Sequence, residues 1–125
     1  MHGCCIIVQD EQGRILLVRH SYGPPVWALP GGGMRKGEDP QVAAMRELHE
    51  ELSCTLTNPV HLGMQSNEFL GSTNHVEVFT GLVKGEPVPD MREVVECRFF
   101  ALDDLPEKRS RTIAYRLQLL GRQAG

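Results

Sequence analysis

Short apolar runs separated by turn residues dominate the first part of the chain. Residues 4–8 and 14–19 are rich in aliphatic side chains, and a polar turn that ends at Gly13 joins them. Apolar runs of this length predict buried strands, and the short connection favours a hairpin. Residues 75–83 carry apolar side chains on both faces, which predicts a central strand covered on two sides. Residues 94–100 predict a last strand.

A helical pattern replaces the alternation over residues 40–52. Asp39 is a suitable N-cap, and Pro40 suits a first helical position because its missing N–H would have no partner there. The apolar stripe that we expect to face a core comprises Ala44, Met45, Leu48 and Leu52. This pattern therefore predicts one amphipathic helix in the middle of the chain.

A second helix is predicted near the end of the chain. It begins after Ser110, runs to residue 120 and stops at Gly121. Its apolar stripe comprises Ile113, Leu117 and Leu120. Arg111 and Arg116 fall on the other side of this helix.

The order of these elements predicts the fold class. Strands precede and follow the first helix, and the second helix closes the chain, so we expect an α/β or α+β sandwich with a mixed sheet between helices. Residues 66–74 contain Ser, Asn and Gly and predict a loop that borders a substrate pocket. The pattern shows no repeat or linker, so we expect a single domain over residues 1–125.

Composition narrows the function classes. The 125 residues carry a net charge of -3, which gives no basic surface for a nucleic-acid duplex. The four cysteines form no Cys-x-x-Cys pair, so we expect buried thiols in a reducing cytoplasm and no zinc site. No run reaches the roughly 20 apolar residues of a membrane span, and we expect no signal peptide and no membrane partner.

The first predicted helix carries three acids on a stripe away from its apolar face: Glu47, Glu50 and Glu51. Like charges at this spacing repel by a few tenths of a kcal/mol per pair, and a divalent cation would offset the repulsion. The alternative is a solvated face on which Arg46 pairs with Glu50. The turn before the helix favours the cation, because Gly31, Gly32 and Gly33 allow another group to approach the backbone closely.

Residues 32–54 resemble the Nudix box, in which a glycine, five spacers, a glutamate and seven spacers precede Arg-Glu-apolar-any-Glu-Glu-any-Gly-apolar. The positions in register are Gly32, Glu38, Arg46, Glu47, Leu48, Glu50, Glu51 and Cys54. Ser53 replaces the usual glycine, at a position that suits a left-handed helix cap. The lead-in at residues 29–32 and the late strand at 93–102 also look like the family, so the resemblance covers nearly the whole chain.

The resemblance implies a fold and an activity. The fold is an α/β/α sandwich with a mixed β-sheet between helices. The activity is Mg²⁺-dependent hydrolysis, with Mn²⁺ as a substitute ion, of the pyrophosphate linkage in a nucleoside diphosphate linked to another group X. A nucleoside triphosphate or a nucleotide sugar is such a substrate, and the protein is a monomer or homodimer. The alternative is a catalytically inactive domain that senses a nucleotide.

The resemblance also implies roles for single residues. The predicted metal ligands are Glu47, Glu50 and Glu51, and Glu47 is also a candidate general base. Arg46 orients Glu47, and Glu38 braces the loop before the helix. A late glutamate is expected to join as ligand or base, with Glu93 favoured by its spacing and Glu96 as the rival.

Three further residues are candidates for substrate binding: Arg19, Tyr22 and Gly32. Arg19 ends a predicted strand and could reach a phosphate, while Tyr22 lies in a loop from which it could stack on a base. A carbonyl of the glycine turn could be a further ligand. Trp27 is expected to pack in the core, because a large aromatic side chain mostly buries apolar area.

Overall fold

The computed structural model describes residues 2–69 and 71–124. In that part of the chain it contains six strands and two helices: β1 (His2–Gln9), β2 (Ile15–His20), β3 (Gly31–Gly33), α1 (Pro40–Leu52), β4 (Thr55–Phe69), β5 (Ser72–Lys84), β6 (Val94–Phe100) and α2 (Thr112–Ala124). These elements confirm the predicted first hairpin, the first helix and the late strand.

The strands form one mixed sheet with β1 near its centre. The strand order is β4-β5-β1-β2-β6, and β1 runs parallel to β5 while the other pairs are antiparallel. The glycine strand β3 pairs antiparallel with the start of β1, with Gly32 opposite Cys4. The glycine turn is thereby fixed against the central strand of the sheet.

Side chains that alternate along β1 pack into two separate cores. Ile6 contacts the core beneath α1, which also contains Leu48, whereas Ile7 contacts the core beneath α2, which contains Ile113. All of these side chains are buried. Each helix therefore covers one face of the sheet, and the predicted α/β/α sandwich is confirmed. Trp27 is buried in the core beneath α2, as predicted.

Helix α1 begins and ends where the sequence predicts. The Asp39 carboxylate accepts hydrogen bonds from the backbone N–H groups of Gln41 and Val42 at 3.0 and 3.3 Å. At the other end Ser53 adopts a left-handed conformation with φ 51° and ψ 36°, and its N–H donates to the His49 carbonyl at 3.1 Å. Serine holds this conformation at a cost of about 1 kcal/mol. The departure from the box glycine leaves the end of the helix in place.

The prediction of a loop over residues 66–74 is wrong. Strands β4 and β5 continue through this segment, and Asn67 pairs with Asn74. The polar side chains that suggested a loop are largely exposed, while the backbone groups pair across the hairpin. Of the predicted loop only the turn around Gly71 remains, and Leu70 lies outside the described residues.

Helix α2 differs from its prediction in two ways. It continues through Gly121 to Ala124, because a single glycine lowers helix stability without ending a helix. Arg116 is buried, although the sequence placed it away from the apolar stripe. Among the described residues no helix has the length and apolar character needed to cross a membrane.

Candidate metal and active site

Three glutamates meet at one end of α1. Glu47 and Glu51 are four residues apart on the helix, so they lie side by side, and both are buried. Glu93, from the loop before β6, is exposed and faces them. One carboxylate oxygen from each of the three residues lies within 4.8 Å of the others. This arrangement offers several oxygen ligands to one cation.

In this group the Glu51 carboxylate is buried with the fewest favourable partners. Burial, and then the neighbouring charge of Glu47, raise the pKa of the Glu51 carboxyl to about 9. Its Oε2 atom is buried and has no hydrogen-bond partner in the described residues. A buried carboxylate oxygen without a partner is costly, and a cation would supply the missing partner. An all-oxygen set of carboxylates fits a hard divalent ion such as Mg²⁺.

Arg46 holds the charged side chains around this group in position. Its Nε and Nη2 atoms donate to the two Glu38 oxygens at 2.8 and 3.0 Å. Its Nη1 atom donates to Glu47 at 3.0 Å and to Glu50 at 3.3 Å, and Nη2 also donates to the Gly33 carbonyl at 3.1 Å. Hydrogen bonds from Arg46, then from the Arg35 backbone N–H, lower the pKa of Glu38 to about 2. Glu38 thus contacts both the Arg35 backbone N–H in the loop and the Arg46 side chain on α1.

The glycine turn lies directly against Glu47. A Cβ atom on Gly32 would be 2.8 Å from the Glu47 carboxylate, so only glycine leaves room for that side chain. Gly31 has φ 154°, and a Cβ there would collide with the Cys4 carbonyl oxygen. The predicted close approach to the glycine backbone is therefore present, and the approaching group is Glu47.

The loop that carries Glu93 is organised by Asp90, which the sequence analysis missed. One Asp90 oxygen accepts hydrogen bonds from the backbone N–H groups of Arg92, Glu93 and Val94 at 2.9–3.1 Å. These bonds, that of Val94 first, lower the pKa of Asp90. The Asp90 N–H donates to the Glu51 carbonyl at 2.9 Å, which ties the loop to α1. An aspartate just after a proline, ahead of a strand, is a turn signal that could have been used.

Glu50 lies at the border of the group. Its side chain is 50% exposed, lies 3.6 Å from Arg35 and accepts a hydrogen bond from Arg46. It lines a cavity of about 510 Å³ together with Asp90, Arg92 and Glu93. The structure thus brings Glu93 beside Glu47 and Glu51, while Glu50, grouped with them by the sequence, turns toward arginines.

The two predicted substrate-binding side chains lie in different places. Tyr22 is exposed and its ring centroid lies 5.2 Å from that of His20. Partial burial, followed by the charges of Glu93, Glu51 and Glu47, raises the pKa of its phenol. Arg19 lies elsewhere: it is 3.5 Å from Glu96, and its guanidinium carbon is 5.9 Å from the Trp27 ring centroid.

Glu96, the rival of Glu93, lies outside the acidic group. Its carboxylate lies between two guanidinium groups, with Oε1 3.5 Å from Arg19 Nη1 and Oε2 3.7 Å from Arg98 Nη2. Glu96 pairs with Arg19 across β2 and β6, whereas Glu93 precedes β6. Of the two late glutamates, the geometry therefore brings only Glu93 to the α1 carboxylates.

Known proteins resemble this chain in sequence and in fold. The family model described as NUDIX domain matches residues 2–119. A curated relative, the CMP-5'-(N-acetyl-N-hydroxy-3-aminopropyl)phosphonate hydrolase of Streptomyces rubellomurinus, is 35% identical over 82% of this chain and 52% of its own length. This chain thus spans about half the length of that relative.

Solved structures show the same fold. The MutT NUDIX hydrolase of Burkholderia pseudomallei superposes with a TM-score of 0.85 at 28% identity, over 95% of this chain and 96% of its own. The NUDIX domain of Shewanella oneidensis NrtR, in complex with ADP ribose, has a TM-score of 0.83 at 17% identity, over 100% of this chain and 88% of its own. The match of the family model to nearly the whole chain decides the assignment. This chain belongs to the Nudix hydrolase family.

Proposed function

We propose that this protein is a Mg²⁺-dependent hydrolase that cleaves the pyrophosphate linkage of a nucleoside diphosphate linked to X. The observation that carries the proposal is the group of Glu47, Glu51 and Glu93, in which a buried Glu51 oxygen has no partner. A solvated acidic face would not bury two carboxylates side by side. The names of two similar proteins, a phosphonate hydrolase and a MutT hydrolase, support the same reaction class.

Glu47 and Glu51 would hold the ion, and Glu50 would hold it from the border of the group, while Glu93 faces them from the loop before β6. A bound divalent ion supplies positive charge against the phosphate oxygens and makes a coordinated water more acidic. All other steps depend on the side chains of this chain. Arg46 keeps the Glu47 carboxylate aimed into the site through a hydrogen bond of 3.0 Å, and Gly32 leaves it the space to lie there.

Glu93 is our choice for the general base. Its carboxylate is exposed and makes no hydrogen bond within the described residues, while its backbone is fixed by bonds to Asp90 and Ser21. Glu47, the other candidate, is buried and its carboxylate already accepts a hydrogen bond from Arg46 at 3.0 Å. A free carboxylate on a fixed loop can accept the proton of the attacking water.

Tyr22 is our candidate for a substrate contact, because its ring is exposed and the charges of Glu93, Glu51 and Glu47 act on its phenol. There it could stack on a base or sugar of a small nucleotide. Arg19 is the weaker candidate, since it is occupied by Glu96 and Trp27. A cytoplasmic location, and a small nucleotide rather than a nucleic-acid duplex as partner, belong to the same proposal.

A substrate panel with Mg²⁺ tests the proposal. The panel contains canonical and oxidised nucleoside triphosphates, ADP-ribose, nucleotide sugars and dinucleoside polyphosphates, and phosphate and pyrophosphate release is measured. The Glu47→Gln variant is the blank. We expect turnover of one class by the natural protein and its loss, by orders of magnitude, in the variant. Binding of a nucleotide without turnover of any member would instead support the sensing domain.

A further inference from the structure

A groove lies on the face of the sheet that α2 covers. It runs between the turn at residues 28–32 and α2, and a cavity of about 200 Å³ there is bordered by Leu29, Gly32, Val76 and Arg116. An adjoining cavity of about 270 Å³ shares Gly32, Val76 and Arg116 with it. The walls of the first cavity are mostly small or apolar, whereas the second also borders His2, Asn67, Asn74 and His75. Arg116 is the permanently charged side chain that the two cavities share.

Arg116 is a buried cation with neutral neighbours. It is only 7% exposed. Its Nη1 atom donates to the Gln65 side-chain carbonyl at 2.8 Å, and its guanidinium carbon lies 5.4 Å from the Tyr115 ring centroid. Its charge also acts on the buried thiol of Cys5. Within residues 2–69 and 71–124, no carboxylate pairs with Arg116.

The surroundings of Arg116 fix its orientation and leave donors unused. The Gln65 side chain is itself held, because its Nε2 atom donates to the Tyr115 carbonyl at 2.7 Å. A guanidinium carries five N–H donors in a rigid plane. Gln65 and the Cys5 thiol accept hydrogen bonds from it, and both cavities border the same side chain. The remaining donors are therefore available to a molecule in the groove.

The contrast with Arg46 indicates what that molecule should carry. Arg46 is also largely covered, but it is surrounded by Glu38, Glu47 and Glu50. A buried cation without an anionic partner is costly, and a carboxylate or phosphate that accepts a charge-assisted hydrogen bond would relieve that cost. The groove thus provides a cation without its counterion.

Gly32 connects this groove to the acidic group. The residue lines both cavities, and the space above its Cα atom is filled by the Glu47 carboxylate. We propose that the groove is a substrate subsite in which Arg116 binds an anionic group of the substrate remote from the bond that is cleaved. This inference rests on the proposed function for the identity of the substrate. The anion is either a phosphate of the nucleotide or a carboxylate carried by X.

The test measures anion binding without metal, so that it is independent of hydrolysis. The ¹⁵N-labelled protein in EDTA is titrated with inorganic phosphate and, separately, with acetate, and the Nε–H resonance of Arg116 is followed by NMR. Without metal the acidic group repels both anions, so a saturable shift of this resonance reports the groove. A preference for one probe identifies phosphate or carboxylate as the source of the anion.

Two variants complete the test. Arg116→Met removes the buried charge, and Arg111→Met removes an exposed charge just before α2 as a matched control. We expect binding about tenfold weaker in Arg116→Met, equivalent to about 1.4 kcal/mol, and unchanged binding in Arg111→Met. With a substrate found in the panel, Arg116→Met should raise KM about tenfold and leave kcat within about twofold.

Different results separate the two proposals. No saturable shift of the Arg116 resonance with either anion in the natural protein overturns the subsite, even if Arg116→Met does not fold. Equal anion binding by the natural protein and a folded Arg116→Met overturns it as well. A protein that binds phosphate at Arg116 but hydrolyses nothing contradicts the proposed function and leaves the subsite standing.

Discussion

Replacing Glu51 by glutamine should stabilise the metal-free protein. Burial and the nearby Glu47 raise the pKa of Glu51 from 4.5 to about 9, so the native state binds a proton that the unfolded state releases above about pH 4.5. Linkage then requires the stability of the native state to fall as pH rises from about 4.5 toward about 9. Glutamine has no charge to bury, so the Glu51→Gln variant should lack this fall.

The size of the effect follows from the pKa. One pKa unit corresponds to about 1.36 kcal/mol, and an assay at about pH 7.5 lies roughly three units above the unfolded value of Glu51. The gain in the free energy of unfolding is therefore at most about 4 kcal/mol at that pH. It should vanish near pH 4.5, where the unfolded state also binds the proton. In excess Mg²⁺ the natural protein should instead be more stable than Glu51→Gln. Only the natural protein offers the ion its complete set of carboxylate ligands, and bound ion stabilises the native state.

Urea unfolding in EDTA, followed by circular dichroism at several pH values, measures this effect. The comparison is between the natural protein, Glu51→Gln and the control Glu50→Gln, whose side chain is half exposed. We expect the stability difference to grow with pH for Glu51→Gln alone. A Glu51→Gln variant that is less stable than the natural protein at every pH, or a pH-independent difference, would refute the view that Glu51 is an uncompensated buried carboxyl.

Substitutions at four other residues, with Gly33→Ala as a control, probe the site. Glu93→Gln should lower kcat at saturating Mg²⁺ and leave the Mg²⁺ concentration needed almost unchanged, whereas Glu47→Gln should lower turnover by orders of magnitude and also raise the Mg²⁺ concentration needed; rates measured against Mg²⁺ concentration distinguish them. Gly32→Ala should keep the fold but displace Glu47 and weaken Mg²⁺ binding in calorimetry, while Gly33→Ala, whose Cβ meets nothing within 4 Å, should bind normally. Asp90→Ala should lower kcat by about ten- to hundredfold with little change in circular dichroism, because the loop that holds Glu93 loses three hydrogen bonds. Near-normal kinetics in Asp90→Ala would show that the loop is held by other contacts.

The sandwich could be predicted because its elements have strong periodic patterns. The apolar run in β1 packs into two cores, and α1 combines a good cap at Asp39 with a stripe that includes Leu48 and Leu52. The hairpin of β4 and β5 could not be predicted in full. Its outer half pairs through the backbone, so polar residues such as Asn67 and Asn74 carry no apolar signal.

Only part of the candidate site could be predicted from the sequence. The spacing of Glu47 and Glu51 on one helix fixes their proximity, so that pair could be predicted. The position of Glu93 depends on hydrogen bonds made by Asp90 across the loop, and that of Glu50 depends on competition from Arg35 and Arg46. Such long-range contacts leave no periodic trace in the sequence.

The rate of hydrolysis as a function of Mg²⁺ concentration tests the central claim most directly. The natural protein and Glu51→Gln are compared on the best substrate from the panel, with Glu50→Gln as a second variant. We predict a rate that saturates with Mg²⁺ and disappears in EDTA for the natural protein, and a rate at least about a hundredfold lower for Glu51→Gln. Identical Mg²⁺ curves for the natural protein and Glu51→Gln would contradict a metal site built on the buried carboxylates of α1.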